Sequence, residues 1–441
     1  MRSPCATALF AISLFAGCGG GTEGPPPPSA TPPAAPATND PAFAVSGPRD
    51  WYLIGNALTP GNDQVLLDVV APAGVEYVDA WVGPHAGIRL APQPDGHLKE
   101  LVDVSDLGAG TYDIVLGADG ADTGFATLAF RRSHPLYAVL STDYDFADPS
   151  DQALARMESI HRQHPELVIT HFFSPYTFTD PTVTEERRQA LVTWLLAQRD
   201  THGDELGLHI HPYCNFVEAA GVTCITDQSV QYAAGDPSGY TIKCAAYSEA
   251  QFTMLLHKAD ELFMARGLGK PITFRAGAWT ASIETLRALA ADGFVADTSA
   301  LNWAKVDEWK NVGNKELYRW NMEHWLPITD DSQPYYPNHD DPLAMTAPTL
   351  PILQAPDNGA MVDYVGVSEM VDILAHNWDG GPLAKPTVFS YGFHPSENFS
   401  ASEQARVDGM AYKLDQALAS ADLGPVVYTV LRDLPKAFPA P

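Results

Sequence analysis

From Pro135 onward, short apolar runs alternate with segments that read as capped helices, and this alternation restricts the chain to parallel α/β architectures. Leu136 to Leu140 is almost continuously apolar, as a parallel strand buried on both faces must be. A helix follows, with Asp148 or Ser150 as its cap, and stops before Pro165. Leu167 to Phe173 reads as the next strand, Arg187 to His202 as a helix ended by Gly203, and Leu206 to His211 as a third strand. Ser248 and Gln251 form a capping-box pattern before Phe252, Leu255, Leu256, Ala259 and Leu262, and Gly267 closes that helix. Ile272 to Phe274, Phe294 to Ala296, Thr387 to Tyr391 and Val426 to Val430 are further strands. Helices are expected from about Ile283 to Asp292 and after the Ser400/Glu403 box. Residues 300–360, rich in aromatics and Pro, break the pattern and read as a long loop insertion that shapes a cleft.

Upstream, between Trp51 and Arg131, the grammar is different. Val65–Val70, Tyr77–Val82, Thr111–Leu116 and Ala126–Phe130 are strand-like. They are separated by turn signals such as Pro60-Gly61, Pro94-Asp95-Gly96 and Gly108-Ala109-Gly110. Short strands at this spacing, without a helix, suggest a small Ig-like β-sandwich. Ala6 to Ala16 is an apolar run too short to span a bilayer, preceded by Arg2. It ends in Phe15-Ala16-Gly17-Cys18, which looks like a lipobox with Cys18 as the lipidated residue. The expected organisation is a lipoprotein signal peptide at 1–18, a Pro/Gly-rich linker at 19–48, a sandwich at 49–132 and an α/β barrel at 133–441. The expected location is the bacterial cell envelope, on its outer membrane if the source is Gram-negative, with Cys18 as the membrane contact.

A formal net charge of −28 over 441 residues disfavours nucleic acid and anionic lipid surfaces as partners. Of five cysteines, Cys214, Cys224 and Cys244 fall in the folded part. Export makes one disulfide among them plausible, with the pairing open. Cys214, three residues after His211, is also a conceivable metal ligand.

The reactive side chains gather at the C-terminal ends of the predicted strands, where ligand sites of α/β sheets and barrels concentrate. Ser141-Thr142-Asp143-Tyr144-Asp145 places two carboxylates on one strand face. Uncompensated, they would repel each other, and a bound cation relieves this. In Leu206-Gly207-Leu208-His209-Ile210-His211 the apolar residues alternate with the two histidines, so both imidazoles point the same way. Two His and one carboxylate make a divalent site suited to Zn²⁺, with Fe²⁺ or Co²⁺ as alternatives. Arg275, in Phe274-Arg275-Ala276-Gly277-Ala278-Trp279, can hold a carboxylate, and His394, in Phe389-Ser390-Tyr391-Gly392-Phe393-His394-Pro395, is a candidate general acid. Trp279, Trp303 and Trp325 are candidates for stacking on sugar rings, although buried Trp is common in cores.

In this order the clusters resemble the polysaccharide deacetylase superfamily, the NodB-homology enzymes of carbohydrate esterase family 4, over about residues 135–435. The resemblance implies a distorted (β/α)7-type barrel and metal-dependent removal of N-acetyl groups from a glycan. Thr142-Asp143-Tyr144-Asp145 loosely matches the first motif, which implies Asp143 as general base and Asp145 as metal ligand. His209-Ile210-His211 stands where the family has His-Ser/Thr-x-x-His, and both imidazoles take the ligand role. Arg275 resembles the Arg that orients the base, Asp297 the Asp of the fourth motif, and Phe393-His394-Pro395 the ending that supplies the acid.

Two other readings compete. A metal hydrolase of the amidohydrolase type also ends a strand in His-x-His, but on its first barrel strand; here Asp-x-Asp comes first. A glycan-binding surface lipoprotein with a degenerate site would purify without stoichiometric metal.

Overall fold

The computed structural model describes residues 24–233, 235–311, 313, 315–395 and 399–441. The expected export segment, with Cys5 and Cys18, lies outside the described residues.

The chain forms two compact units. The described part of the first comprises residues 24–46, Leu67–Glu100 and Asp113–Leu128. Its strands are antiparallel: Val78–Val82 pairs with Ile88–Arg89 and with residues 114–118, and Ala44–Ser46 pairs with residues 68–70. Period-two burial follows, with Leu67 and Val69 in the core and Val70 exposed. The Pro-rich stretch belongs to this unit and is not a free spacer from residue 24 onward. A proline run offers carbonyls but few N–H groups, so it can line a sheet as an acceptor. The Ser29 carbonyl accepts from Trp81 Nε1 at 2.9 Å and from the Gly87 amide at 3.1 Å. Ala34 exchanges backbone hydrogen bonds with Asp122 and Gly124.

The second unit comprises Gly47–Leu66, Leu101–Tyr112 and Ala129–Pro441. Its centre is a curled parallel sheet of β1 (Leu136–Asp143), β2 (Ile169–Phe173), β3 (Glu205–Ile210), β4 (Thr273–Ala276), β5 (Ala296–Asp297), β6 (Leu353–Gln354), β7 (Thr387–Phe393) and β8 (Val426–Tyr428). The order is β6-β5-β4-β3-β2-β1-β7. Strand β8 pairs with residues 136–138 of β1, while β2 pairs with residues 140–143, so β1 is shared lengthwise. Beyond β6 the chain runs beside β7, with Val362 donating to the Gly392 carbonyl and Gly392 to that of Ala360. The barrel is closed there by irregular backbone, which is its distortion.

Each strand shows two faces. Leu136, Ala138 and Leu140, with Leu206, Leu208 and Ile210, pack into the core shared with the helices. Tyr137 and Val139 of β1 join Phe172, Leu353 and Val388 in a separate interior cluster. The apolar-polar alternation of 206–211 is the outer and inner face of β3. Gly207 permits this packing: a Cβ there would lie 2.7 Å from Thr273 Oγ1 and 2.8 Å from the Phe172 ring.

Among the described residues, the α-helices longer than four residues are α1 (Asp151–Gln163), α2 (Glu185–His202), α3 (Cys214–Ala219), α4 (Glu249–Ala265), α5 (Ile283–Asp292), α6 (Lys315–Trp325), α7 (Val367–Asn377) and α8 (Ala401–Asp415). Ser150 caps α1, and capping boxes at Ser248/Gln251 and Ser400/Glu403 start α4 and α8. Gly203 closes α2 at φ 83°. Residues 300–360 are not one loop. They hold a 3-10 segment at Trp303–Asn311, helix α6 and strand β6. Helix α6 buries Leu317, Tyr318, Asn321 and Trp325, one face at helical spacing in which the polar Asn321 interrupts the apolar stripe. Helix α7 begins at Gly366 without a side-chain cap.

Candidate functional site

Strand β1 ends at Asp143, and the next two residues turn in opposite senses. Tyr144 is buried, and its hydroxyl meets His171 Nδ1 at 2.9 Å. His171 Nε2 and His161 Nε2 both lie 2.9 Å from Asp204 Oδ2. This buried chain anchors the residue between the two aspartates. Asp145 is thereby delivered toward β3.

There, one oxygen of Asp145 faces two rings. Oδ1 lies 3.1 Å from His209 Nε2 and 3.3 Å from His211 Nε2. The far nitrogens are also engaged: His209 Nδ1 lies 2.9 Å from the Arg275 carbonyl and His211 Nδ1 3.0 Å from that of Tyr240. A carbonyl only accepts, so each Nδ1 carries a proton, and in a neutral ring Nε2 is then a bare lone pair. Three acceptors converge with no proton between them. Extra protons on both rings or one cation would balance the set, and a cation uses all three lone pairs at once. Asp145, His209 and His211 each offer one ligand atom, all within 4.8 Å of one another. In the alternative with both rings doubly protonated, burial would raise the Asp145 pKa, but the His211 and His394 charges and hydrogen bonds from both rings would hold it well below the usual carboxylate range. Gly277 makes room for His211, since a Cβ there would lie 2.7 Å from the ring.

Tyrosines surround this cluster. Tyr240 stacks on His211 with ring centroids 4.3 Å apart and donates to Asp145 Oδ2 at 2.9 Å. Tyr213 donates to the Asp145 carbonyl at 3.0 Å and stacks on Tyr176 at 3.6 Å. Burial pushes the Tyr213 and Tyr240 hydroxyls up, so they stay donors. Of the three cysteines considered, Cys214 and Cys224 form a disulfide and Cys244 is a buried thiol, so Cys214 is not free to bind metal.

Arg275 occupies the second half of the site. Its Nη1 donates to Asp143 Oδ1 at 3.0 Å, and its Nη2 lies 3.5 Å from Asp357 Oδ2. All three side chains are almost wholly buried. Trp279 Nε1 donates to Asp357 at 3.1 Å, and the Trp279 carbonyl accepts from Trp325 Nε1 at 3.0 Å. These contacts hold Ala278 and Trp279 at φ 53° and 56°. Such backbone costs about 1–3 kcal/mol per residue and persists only when its surroundings fix it. Asp297 lies elsewhere. It accepts from the Ser299 amide at 2.9 Å and its hydroxyl at 2.7 Å, and burial pushes its carboxyl up to about 6. The carboxylate beside Arg275 and Asp143 is Asp357.

His394 closes the arrangement from the end of β7. Its Nδ1 lies 3.1 Å from Asp363 Oδ2 and its Nε2 4.0 Å from Asp145 Oδ2. Burial alone would lower its pKa, but Asp363 and Asp145 carry it to about 10. Asp143, Asp145, His211 and His394 line one cleft of about 190 Å³, walled by Tyr232, Tyr240, Trp279, Trp309 and Tyr364. Trp325 is in the core, and Trp303 is partly buried with its Nε1 on the Leu326 carbonyl at 3.2 Å. Asp357, Asp363, Trp309 and Tyr364 escaped the sequence reading because the irregular stretch after α5 supplies no period to place them. A carboxylate directly after the apolar Leu350–Pro356 run is the one signal that points to Asp357.

No protein-family model matches the chain, and no curated protein does. Solved structures similar to it include a family 4 carbohydrate esterase from Streptomyces lividans in complex with acetate. It has 12% identity and a TM-score of 0.34, covering 70% of this chain and 99% of that one. A family 4 acetyl xylan esterase from Clostridium thermocellum in complex with a cobalt ion has 10% identity and a TM-score of 0.35, covering 69% and 93%. A mutant of peptidoglycan deacetylase PdaC from Bacillus subtilis has 11% identity and a TM-score of 0.34, covering 69% and 92%.

Proposed function

We propose that this chain is a metal-dependent hydrolase that removes N-acetyl groups from a cell-envelope or extracellular glycan. The observation that carries the reading is the convergence of two bare imidazole nitrogens on one oxygen of Asp145, beside a carboxylate and an imidazole that are each held by an opposite charge.

Asp145, His209 and His211 would hold the ion, Zn²⁺ before Fe²⁺ or Co²⁺, which supplies Lewis-acid polarisation of the acetamide carbonyl. Asp143 accepts a proton from the attacking water, with Arg275 fixing its Oδ1 and leaving Oδ2 for the water. The carbon–nitrogen bond of the tetrahedral intermediate then breaks. His394, oriented through Nδ1 by Asp363, gives a proton to the leaving amine from Nε2. The products are acetate and a free amino sugar. The aromatic walls of the cleft suit sugar rings, which present apolar faces. Lipidation at Cys18 would place the enzyme at the envelope, where such glycans occur.

The test is acetate release from a panel of N-acetylated glycans, with and without a chelator. Release that the chelator removes and Zn²⁺ restores is expected. Absence of release from every member, with stoichiometric metal bound, would overturn the reading.

A further inference from the structure

Tyr240 touches the ligand cluster with three separate parts of itself. Its carbonyl accepts from His211 Nδ1 at 3.0 Å, its ring stacks on the His211 imidazole, and its hydroxyl donates to Asp145 Oδ2 at 2.9 Å. One residue therefore sets the tautomer and tilt of one ligand and the rotation of another.

Its own position is tightly determined. The preceding Gly239 has φ 87°, and a Cβ there would lie 2.3 Å from the Pro212 carbonyl and 3.0 Å from the Cys214 amide. The chain entering Tyr240 is thus pressed against the residues that follow His211. Cys214 donates its amide to the Ser238 carbonyl at 2.7 Å and is bonded to Cys224. The ring is further flanked by Phe146, the residue after Asp145, with centroids 5.7 Å apart.

We infer that Tyr240 is a positioning residue that makes Asp145 a one-oxygen ligand. Oδ1 faces both imidazoles, and Oδ2 is taken by the tyrosine hydroxyl. A hydrogen bond on Oδ2 turns that oxygen away from the ligand cluster and disfavours chelation through both oxygens, so a bound ion would keep open positions for water and the substrate carbonyl. Hydrogen-bonding partners of ligands commonly set metal affinity by about 10- to 100-fold. The inference rests on the hydrolase reading only through the existence of the metal site.

The experiment compares wild type with Tyr240→Phe, using Zn²⁺ alone for affinity in chelator competition and Co²⁺ alone for visible absorption. Phenylalanine keeps the stack on His211 and removes only the hydroxyl. The expected result is a Kd for Zn²⁺ raised by about 10- to 100-fold. Weaker Co²⁺ d–d absorption is expected with it, because a freed Oδ2 raises the coordination number, and the thermal midpoint of the metal-free protein should not change. A merely structural tyrosine would move the midpoint and leave the Co²⁺ spectrum of folded protein alone. An unchanged Kd and spectrum in folded Tyr240→Phe overturns this inference and leaves the hydrolase reading standing. Failure of the wild type to bind either ion overturns both.

Discussion

Arg275 on β4 sets its Nη1 3.0 Å from Oδ1 of Asp143 on β1, although β2 and β3 lie between those strands in the sheet. The guanidinium also faces Asp357 at 3.5 Å, so one buried cation serves two buried carboxylates. Removing it leaves both carboxylates without an opposite charge, and Asp357 with only its hydrogen bond from Trp279. Arg275→Met should therefore cost about 3–5 kcal/mol of unfolding free energy, the range for breaking a buried charge cluster from one side. Arg275→Lys keeps the charge but not the two-pronged geometry and should cost less. Denaturant unfolding at pH 7 measures both. Wild-type stability in Arg275→Met would show that the cluster is not held as described.

Asp143 has a narrower role. Its partner is Arg275, and it is outside the Asp145, His209 and His211 set. Asp143→Asn should keep stoichiometric Zn²⁺ while kcat falls by about 10²- to 10⁴-fold, the usual worth of a general base. Metal analysis and acetate release on the same preparation check it. Loss of metal instead would exchange the roles assigned to Asp143 and Asp145.

The barrel was legible where local chemistry and periodicity agree. Ser150, Ser248, Ser400 and Gly203 mark helix ends by hydrogen bonds that their own side chains or backbone make, and those signals survive tertiary packing. The alternation of Leu206, Leu208 and Ile210 with His209 and His211 gave the inward face of β3 directly, because a strand has only two faces. Helices α6 and α7 each bury a face at helical spacing, Leu317, Tyr318, Asn321 and Trp325 in one and Met370, Ile373, Leu374 and Asn377 in the other, but α7 starts at Gly366 without the side-chain cap that marks a beginning. Asp357 and Tyr240 were hidden for another reason. Their roles arise from contacts across 82 residues in one case, to Arg275, and 95 in the other, to Asp145. No spacing rule encodes those contacts.

Gly277 gives a prediction of a different kind. A Cβ at this position would lie 2.7 Å from His211 Cγ and Nδ1, closer than real contacts allow. The imidazole must yield, because the backbone beneath it is fixed by the strained turn at Ala278 and Trp279. Gly277→Ala should cost about 1–3 kcal/mol in overpacking. It should also raise the Kd for Zn²⁺ by about 10- to 100-fold, as disturbance of a ligand's surroundings does. Chelator competition and thermal melting read the two effects separately. Unchanged affinity in the folded variant would mean that His211 is free to move without cost to the site.

The buried Asp204 carboxylate makes stability depend on pH in a defined direction. It accepts from the Ile169 amide at 2.8 Å and lies 2.9 Å from both His161 and His171. Burial alone would raise its pKa, but the two histidines carry it down to about 2. An unfolded aspartate titrates near ~3.9. A depressed folded pKa gives stability that is fully present above the unfolded value and lost as pH falls through the folded one, here between about pH 4 and 2. The contribution is about 2 kcal/mol. Asp204→Asn removes it at every pH, so the stability gap between wild type and variant should be widest at pH 6 and shrink steadily below pH 4. Denaturant unfolding of both proteins across pH 2.5 to 6 measures the gap. A gap that stays constant across that range would show that the carboxylate's ionisation is not what holds Tyr144, and with it the turn between Asp143 and Asp145, in place.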